Sequence, residues 1–170
     1  RAPPRSAIDM LTILHTEASP GWGGQEIRIL SEASVFAKRG FRVLIACQPD
    51  TPLGREAQRR GLPVRFVAMR GAADVRACWR LRRLMQTEAV ALVHTHSSID
   101  AWLAGFAAKS LHVPVVRSRH VSIPVKRRRN FVYNALCDRI ISSGDAIREV
   151  LVTAGVDADK IVSIPAGVDT

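Results

Sequence analysis

The segment Leu11-Thr-Ile-Leu-His-Thr-Glu-Ala-Ser-Pro-Gly-Trp-Gly-Gly-Gln-Glu26 passes from an apolar run through a glycine-bearing loop into a helical pattern. Leu11 to His15 is a short buried strand. Gly23 and Gly24 precede a helix predicted from about Gln25 to Lys38, with Ile27, Leu30, Ser34 and Ala37 at helical spacing. Gly40 stands where a left-handed residue ends a helix. The same unit then recurs along the chain.

Phe41 to Cys47 forms a second strand, Leu53 to Arg60 a short polar helix stopped by Gly61, and Val64 to Ala68 a third strand. Ala73 to Gln86 reads as a helix and Ala91 to His94 as a fourth strand. Ser97 and Asp100 form a capping-box pair that opens a helix of small residues reaching about Leu111. Val113 to Arg117 is a fifth strand, whose Pro marks its beginning. Val125 to Leu136 is a basic helix and Arg139 to Ser142 a sixth strand. Ser142 with Asp145 caps a helix to about Ala154, and Ile161 to Ile164 is a seventh strand. Apolar strands in strict alternation with helices predict an α/β fold with a parallel sheet covered on both faces. In such sheets ligands bind outside the carboxyl ends of the strands, which points to the loops after strands one, four and five.

With 170 residues the chain fits one domain. A domain of this size buries roughly 70% of the surface its unfolded chain exposes. Residues 1–10 read as a flexible end and 11–170 as the folded unit. No apolar run reaches the roughly 20 residues that span a bilayer. Cys47, Cys78 and Cys137 lack paired spacing and sit among apolar neighbours, which favours reduced thiols and a cytoplasmic setting. Twenty-five Lys and Arg against fifteen Asp and Glu leave a net charge of +10, which favours an anionic partner such as nucleic acid, lipid headgroups or a phosphorylated substrate.

Three loops and two helices could carry chemistry. Gly23-Gly24 at a helix start lets backbone N–H groups approach an anion, aided by the helix dipole; the alternative is a turn that needs glycine for its conformation. The Gly-x-Gly-x-x-Gly dinucleotide pattern and the Gly-Lys-Ser/Thr ending of a P-loop are both missing, which argues against hydride transfer and ATP hydrolysis. His94-Thr95-His96 ends strand four with both imidazoles on one face, suited to proton transfer or to a hydrogen bond with a sugar hydroxyl. A metal there would need His120 as third ligand, and no carboxylate sits at useful spacing, so no metal is expected. Arg117-Ser-Arg-His120 follows strand five, with Arg119 and His120 where a loop would face the same cleft. Two cationic forks beside a His suit a phosphate or a charged sugar. Arg76, Arg80 and Arg83 share one helical face, with Trp79, Leu81, Leu84 and Met85 largely elsewhere. Lys126, Arg127, Arg128 and Arg129 precede Phe131 and Val132. Both stripes fit an anionic membrane surface, nucleic acid, or a solvated outer face.

The order of these motifs resembles the N-terminal domain of family-four retaining glycosyltransferases. It is carried by Ile13-Leu14-His15 with Gly23-Gly24-Gln25-Glu26, by Ala37-Lys38-Arg39-Gly40-Phe41-Arg42-Val43, by Val93-His94-Thr95-His96, and by Ile141-Ser142-Ser143 through Lys160 to Asp169. Ala166 and Phe41 depart from the family's usual Asn and His. The resemblance implies a Rossmann-like sheet of about seven strands, one lobe of the two-lobed GT-B fold, with the donor-binding C-terminal lobe absent and the fragment inactive alone. It further implies that Gly23 and Gly24 lie near the donor diphosphate or the acceptor, His96 near the transferred sugar, and Arg119 and His120 at the acceptor pocket. The partners implied are a nucleotide-sugar donor, a glycan or lipid-linked acceptor of lipopolysaccharide or envelope type, and the inner face of the cytoplasmic membrane. No cofactor is implied and nucleic acid is not expected. A sugar-nucleotide epimerase and a non-catalytic basic module that binds nucleic acid or membrane are the competing readings.

Overall fold

The computed structural model describes residues 11–120 and 130–165, so the expected flexible end 1–10 and the run Lys126 to Arg129 lie outside the described residues. The elements are β1 Thr12–Glu17, α1 Gly24–Lys38, β2 Arg42–Cys47, α2 Pro52–Arg59, β3 Val64–Phe66, α3 Val75–Thr87 and β4 Val90–Thr95. They continue with α4 Ser98–Lys109, β5 Val115–Arg119, α5 Asn130–Asn134, β6 Arg139–Ser142, α6 Asp145–Thr153 and β7 Ile161–Ser163. The strands form one parallel sheet in the order β3-β2-β1-β4-β5-β6-β7.

The chain winds outward from β1 in both directions, so the strand order reverses between β1 and β4. Right-handed crossovers then put α1 and α2 on one face and the later helices on the other. Two cores follow. Ile29, Leu30 and Ala33 of α1 and Leu53 and Ala57 of α2 pack on Val43, Ile45 and Cys47. On the opposite face Leu81 and Met85 of α3, Leu103, Ala104 and Ala107 of α4, and Ile147 and Leu151 of α6 pack on Leu14, Leu44, Val93 and Ile140. Every residue of β1 is buried, as a central strand covered on both faces requires. Gly40 and Gly61 end α1 and α2 with φ of 95° and 71°, the left-handed geometry that favours glycine.

Among the described residues the expected elements are present, the basic helix expected from Val125 to Leu136 being described only over Asn130–Asn134, with four corrections. The buried face of α1 is Glu26, Ile29, Leu30 and Ala33, not the stripe through Ile27, Ser34 and Ala37; Ile27 is 49% exposed. The 3.6-residue period fits both stripes, and docking on β2 selects one. Gly144, rather than Ser142, is the N-cap of α6, and Ser142 remains in β6, where its carbonyl accepts from Ile164 N–H. Strand β5 extends through Arg119, which is therefore a strand residue. Finally Trp79 lies 57% exposed beside Arg83, 5.6 Å from guanidinium carbon to ring centre, so it shares the basic face of α3.

Candidate active-site cleft

A cleft of about 900 Å³ opens along the carboxyl ends of the strands, lined by Trp22, Gly23, Gly24, Arg28 and Glu32 from the β1 side and by His120, Ser143 and Ile164 from beyond β5, β6 and β7. This is the crevice that a switch between β1 and β4 creates. The contributions after β6 and β7 were not expected from sequence.

Gly23 and Gly24 bring the start of α1 to this cleft. Gly23 is extended (φ −171°, ψ −161°), a conformation open to any residue, and Gly24 is helical. A Cβ on Gly24 would meet nothing within 4 Å, and one on Gly23 only Glu26 Oε2 at 3.7 Å. Neither turn geometry nor packing demands glycine here. What the missing side chains leave is access to the helix N-terminus, which no side chain caps. That is the arrangement of an anion site.

Behind the glycine loop, β1 and β4 place three imidazoles together. His15 pairs in register with His94, and His15 Nδ1 lies 3.1 Å from His96 Nε2. The His94 and His96 rings are 4.2 Å apart, and His120 stacks over His96 at 6.0 Å. His94 Nε2 is 2.8 Å from Ser118 Oγ. Burial first, and neighbouring imidazoles and Arg28 second, hold His94 and His96 well below the usual histidine range, and burial brings His15 down to about 4. Neutral rings with such low proton affinity are poor bases and good hydrogen-bond partners. His15, His94 and His96 bring ligand atoms within 4.8 Å of one another, a donor set that a transition metal could use. One nitrogen of each ring is hydrogen-bonded, His15 Nδ1 with His96 Nε2 and His94 Nε2 with Ser118 Oγ. The third imidazole of the group is thus His15, not the His120 considered from sequence.

Two buried carboxylates hold the frame. Asp100 in the first turn of α4 accepts from His96 N–H (2.9 Å), Ser97 N–H (2.8 Å) and Thr16 Oγ1 (2.8 Å), which ties the ends of β1 and β4 to one helix. The expected capping box between Ser97 and Asp100 is formed. Glu17 accepts from Ser19 N–H at 2.7 Å and from the Gln25 side chain, so it spans the glycine loop from below. Burial, then the Asp100 charge, pushes the Glu17 carboxyl up to about 8. On the cleft wall Arg28 pairs with Glu32 at 2.7 Å.

Of the residues singled out from sequence, Gly23, Gly24 and His120 line the cleft. His96, Arg119 and His120 line a smaller cavity of about 170 Å³ beside it. Arg76, Arg80 and Arg83 lie on the exposed side of α3, the helix whose Ala77, Leu81 and Met85 are buried. Sequence reasoning missed Glu17, Arg28 and Glu32 as members of the site. For Glu17 a signal existed, since it is a carboxyl group that follows the first strand's apolar run and precedes the glycine loop. Arg28 and Glu32 look like any i,i+4 surface pair.

The family model described as Glycosyltransferase Family 4 matches residues 22–170. No match was found among the curated proteins. Among solved structures, Anabaena HepE in complex with UDP-glucose superposes with TM-score 0.81 at 16% identity, over 94% of this chain and 44% of that one. A glycosyltransferase from Rickettsia africae gives TM-score 0.81 at 20% identity, also over 94% and 44%. MurG of Acinetobacter baumannii gives 0.72 at 15% identity, over 94% and 47%. The chain therefore spans less than half the length of the structures it matches.

Proposed function

Because the chain belongs to glycosyltransferase family 4, forming a GT-B-type Rossmann-like lobe, we propose that it is the acceptor-side lobe of a retaining, nucleotide-sugar-dependent enzyme. The observation that carries this is the cleft itself: an uncapped helix N-terminus behind two glycines faces His120, Ser143 and Ile164 across about 900 Å³. That volume lies within the range typical of small-molecule sites. The Anabaena relative was captured with UDP-glucose, which supports a nucleotide sugar as donor. Most donor contacts belong to a second lobe, and this lobe is inactive without it.

In this reading the N–H groups at the start of α1 stabilise the negative charge that grows on the leaving diphosphate. His96, neutral and fixed by Asp100 through its backbone, hydrogen-bonds the transferred sugar rather than acting as a base. Arg119 and His120 border the acceptor. Sugar transfer by the full-length protein, wild type against His96→Ala, tests the assignment. A fall in kcat of roughly 100-fold with folding unchanged is expected. A rate within about two-fold of wild type would remove His96 from the chemistry.

The acceptor we propose is a lipopolysaccharide or other envelope glycan reached at the inner membrane face. No helix among the described residues is long and apolar enough to cross a membrane. Support for peripheral docking comes from Trp102 and Phe106 of α4 and Phe131 of α5. Their rings lie 5.8, 5.9 and 6.2 Å apart, with Phe106 and Phe131 45% and 49% exposed. Helix α4 packs beside α3, whose outer face carries Arg76, Trp79, Arg80 and Arg83. Aromatic rings beside arginines suit an interface of lipid headgroups.

A further inference from the structure

We infer that the small cavity beside the cleft binds an oxyanion carried by the acceptor, so that the acceptor is a phosphorylated or carboxylated sugar. The inference rests on the acceptor-lobe reading above and names its substrate class.

Size is the first argument. At about 170 Å³ the cavity is well below the roughly 300 Å³ at which sites for whole ligands begin, yet it shares Gln25 and His120 with the main cleft. It is a side chamber suited to one substituent of a molecule whose body lies in the cleft.

Chemistry is the second. Arg117 and Arg119, two apart on β5, both enter the wall of this chamber. Each guanidinium lies over the ring of Tyr133, at 4.4 and 5.9 Å, and Arg119 Nη1 donates to the Tyr133 hydroxyl at 2.8 Å. One aromatic ring thus holds both forks in place. Arg117 is only 5% exposed and His96 only 4%. Arg117 Nε, His96 Nδ1 and His120 Nε2 are buried without a hydrogen-bond partner among the described residues. Buried polar atoms are almost always paired, so unpaired ones on three residues that line one chamber point to a missing hydrogen-bond partner there. Planar arginine forks and imidazole N–H groups suit the oxygens of phosphate or carboxylate.

The donor's diphosphate is a poorer occupant. It carries a nucleoside on one side and a sugar on the other, and it needs the open cleft, where the glycine-bared start of α1 awaits an anion of its own.

The test is calorimetric titration of the full-length protein with glucose, glucose 6-phosphate, glucuronate and UDP. At least one anionic sugar should bind roughly ten-fold or more tighter than glucose, and the better of the two identifies the oxyanion. Arg119→Gln should abolish that preference while changing UDP affinity by less than about two-fold. Arg117→Lys keeps the buried charge but loses the fork, and should reduce the preference without unfolding the protein. Equal affinity for all three sugars would overturn the inference and leave the acceptor lobe standing. Absence of any sugar binding would remove both. Displacement of the anionic sugar by UDP, with both lost in Arg119→Gln, would assign the chamber to the donor and overturn the inference as well.

Discussion

At the scale of single residues, the site depends on polar groups placed where water cannot reach them. Glu17 has no exposed surface, and its carboxyl stays protonated up to about pH 8 because burial and the Asp100 charge oppose ionisation. Its oxygens nevertheless hold Ser19 N–H and the Gln25 side chain, and so set the glycine loop. Glu17→Gln should preserve the loop, since the neutral amide has nearly the same shape and still offers an acceptor oxygen. Gly24 makes the opposite point, because its lack of a side chain is what the cleft uses. Gly24→Leu should leave the thermal midpoint within a few degrees of wild type, as the new side chain enters open space. The same variant should weaken donor binding roughly ten-fold or more by covering the helix N-terminus, and titration with UDP-glucose measures it.

At the scale of elements, close packing of α4 fixes where the second histidine of the pair lies. Ala101, Ala104, Gly105, Ala107 and Ala108 are buried, and small residues let the helix sit low on β4 and β5. A Cβ on Gly105 would already stand 3.1 Å from Leu136 Cβ, in the cluster that also holds Ala101 and Val132. Gly105→Val should therefore destabilise by about 2 kcal/mol, overpacking outweighing the gain in helix propensity. Urea unfolding checks the value. If the variant were instead more stable, the contact between α4 and the segment after α5 would be looser than described. The same displacement would move Asp100, and with it the backbone of His96.

At the scale of the whole molecule, the titrating groups of the cleft act together on stability. His15 and His120 are brought from the ordinary 6.5 to about 4, and His94 and His96 are also lowered, in each case by burial first. Below pH 6.5 the unfolded chain takes up protons that the folded one refuses, so stability falls as the pH drops from 6.5 towards 4. His15 alone, fully buried, contributes a slope of roughly 1.4 kcal/mol per pH unit over that window. Glu17 has the other sign. Raised from 4.5 to about 8, it is protonated when folded and ionised when unfolded across that interval, so its contribution declines as pH rises to 8. Stability should peak near neutrality, falling steeply on the acid side and gently on the alkaline side. Denaturant midpoints between pH 5 and 9 measure the curve, and Glu17→Gln should flatten its alkaline limb. An alkaline limb unchanged in that variant would mean that Glu17 ionises at its ordinary pH.

The sequence by itself determined the alternation of strands and helices and, among the described residues, most of their ends to within two residues, because strand and helix periods and the glycines at 40 and 61 are local signals. It also marked Gly23, Gly24 and His120, which line the cleft, and His96, which lines the chamber beside it. Only the tertiary structure decided which stripe of α1 is buried, since both stripes share one period and docking on β2 chooses between them. It alone brought His15 against His94, residues 79 positions apart that become neighbours through pairing of β1 with β4. It also joined Glu17 with Asp100, and Arg117 with Tyr133. The physical reason is common to these cases: strand pairing and burial are long-range. A local pattern specifies what each segment forms, whereas the charge state and partners of a side chain depend on segments that the fold brings to it from elsewhere in the chain.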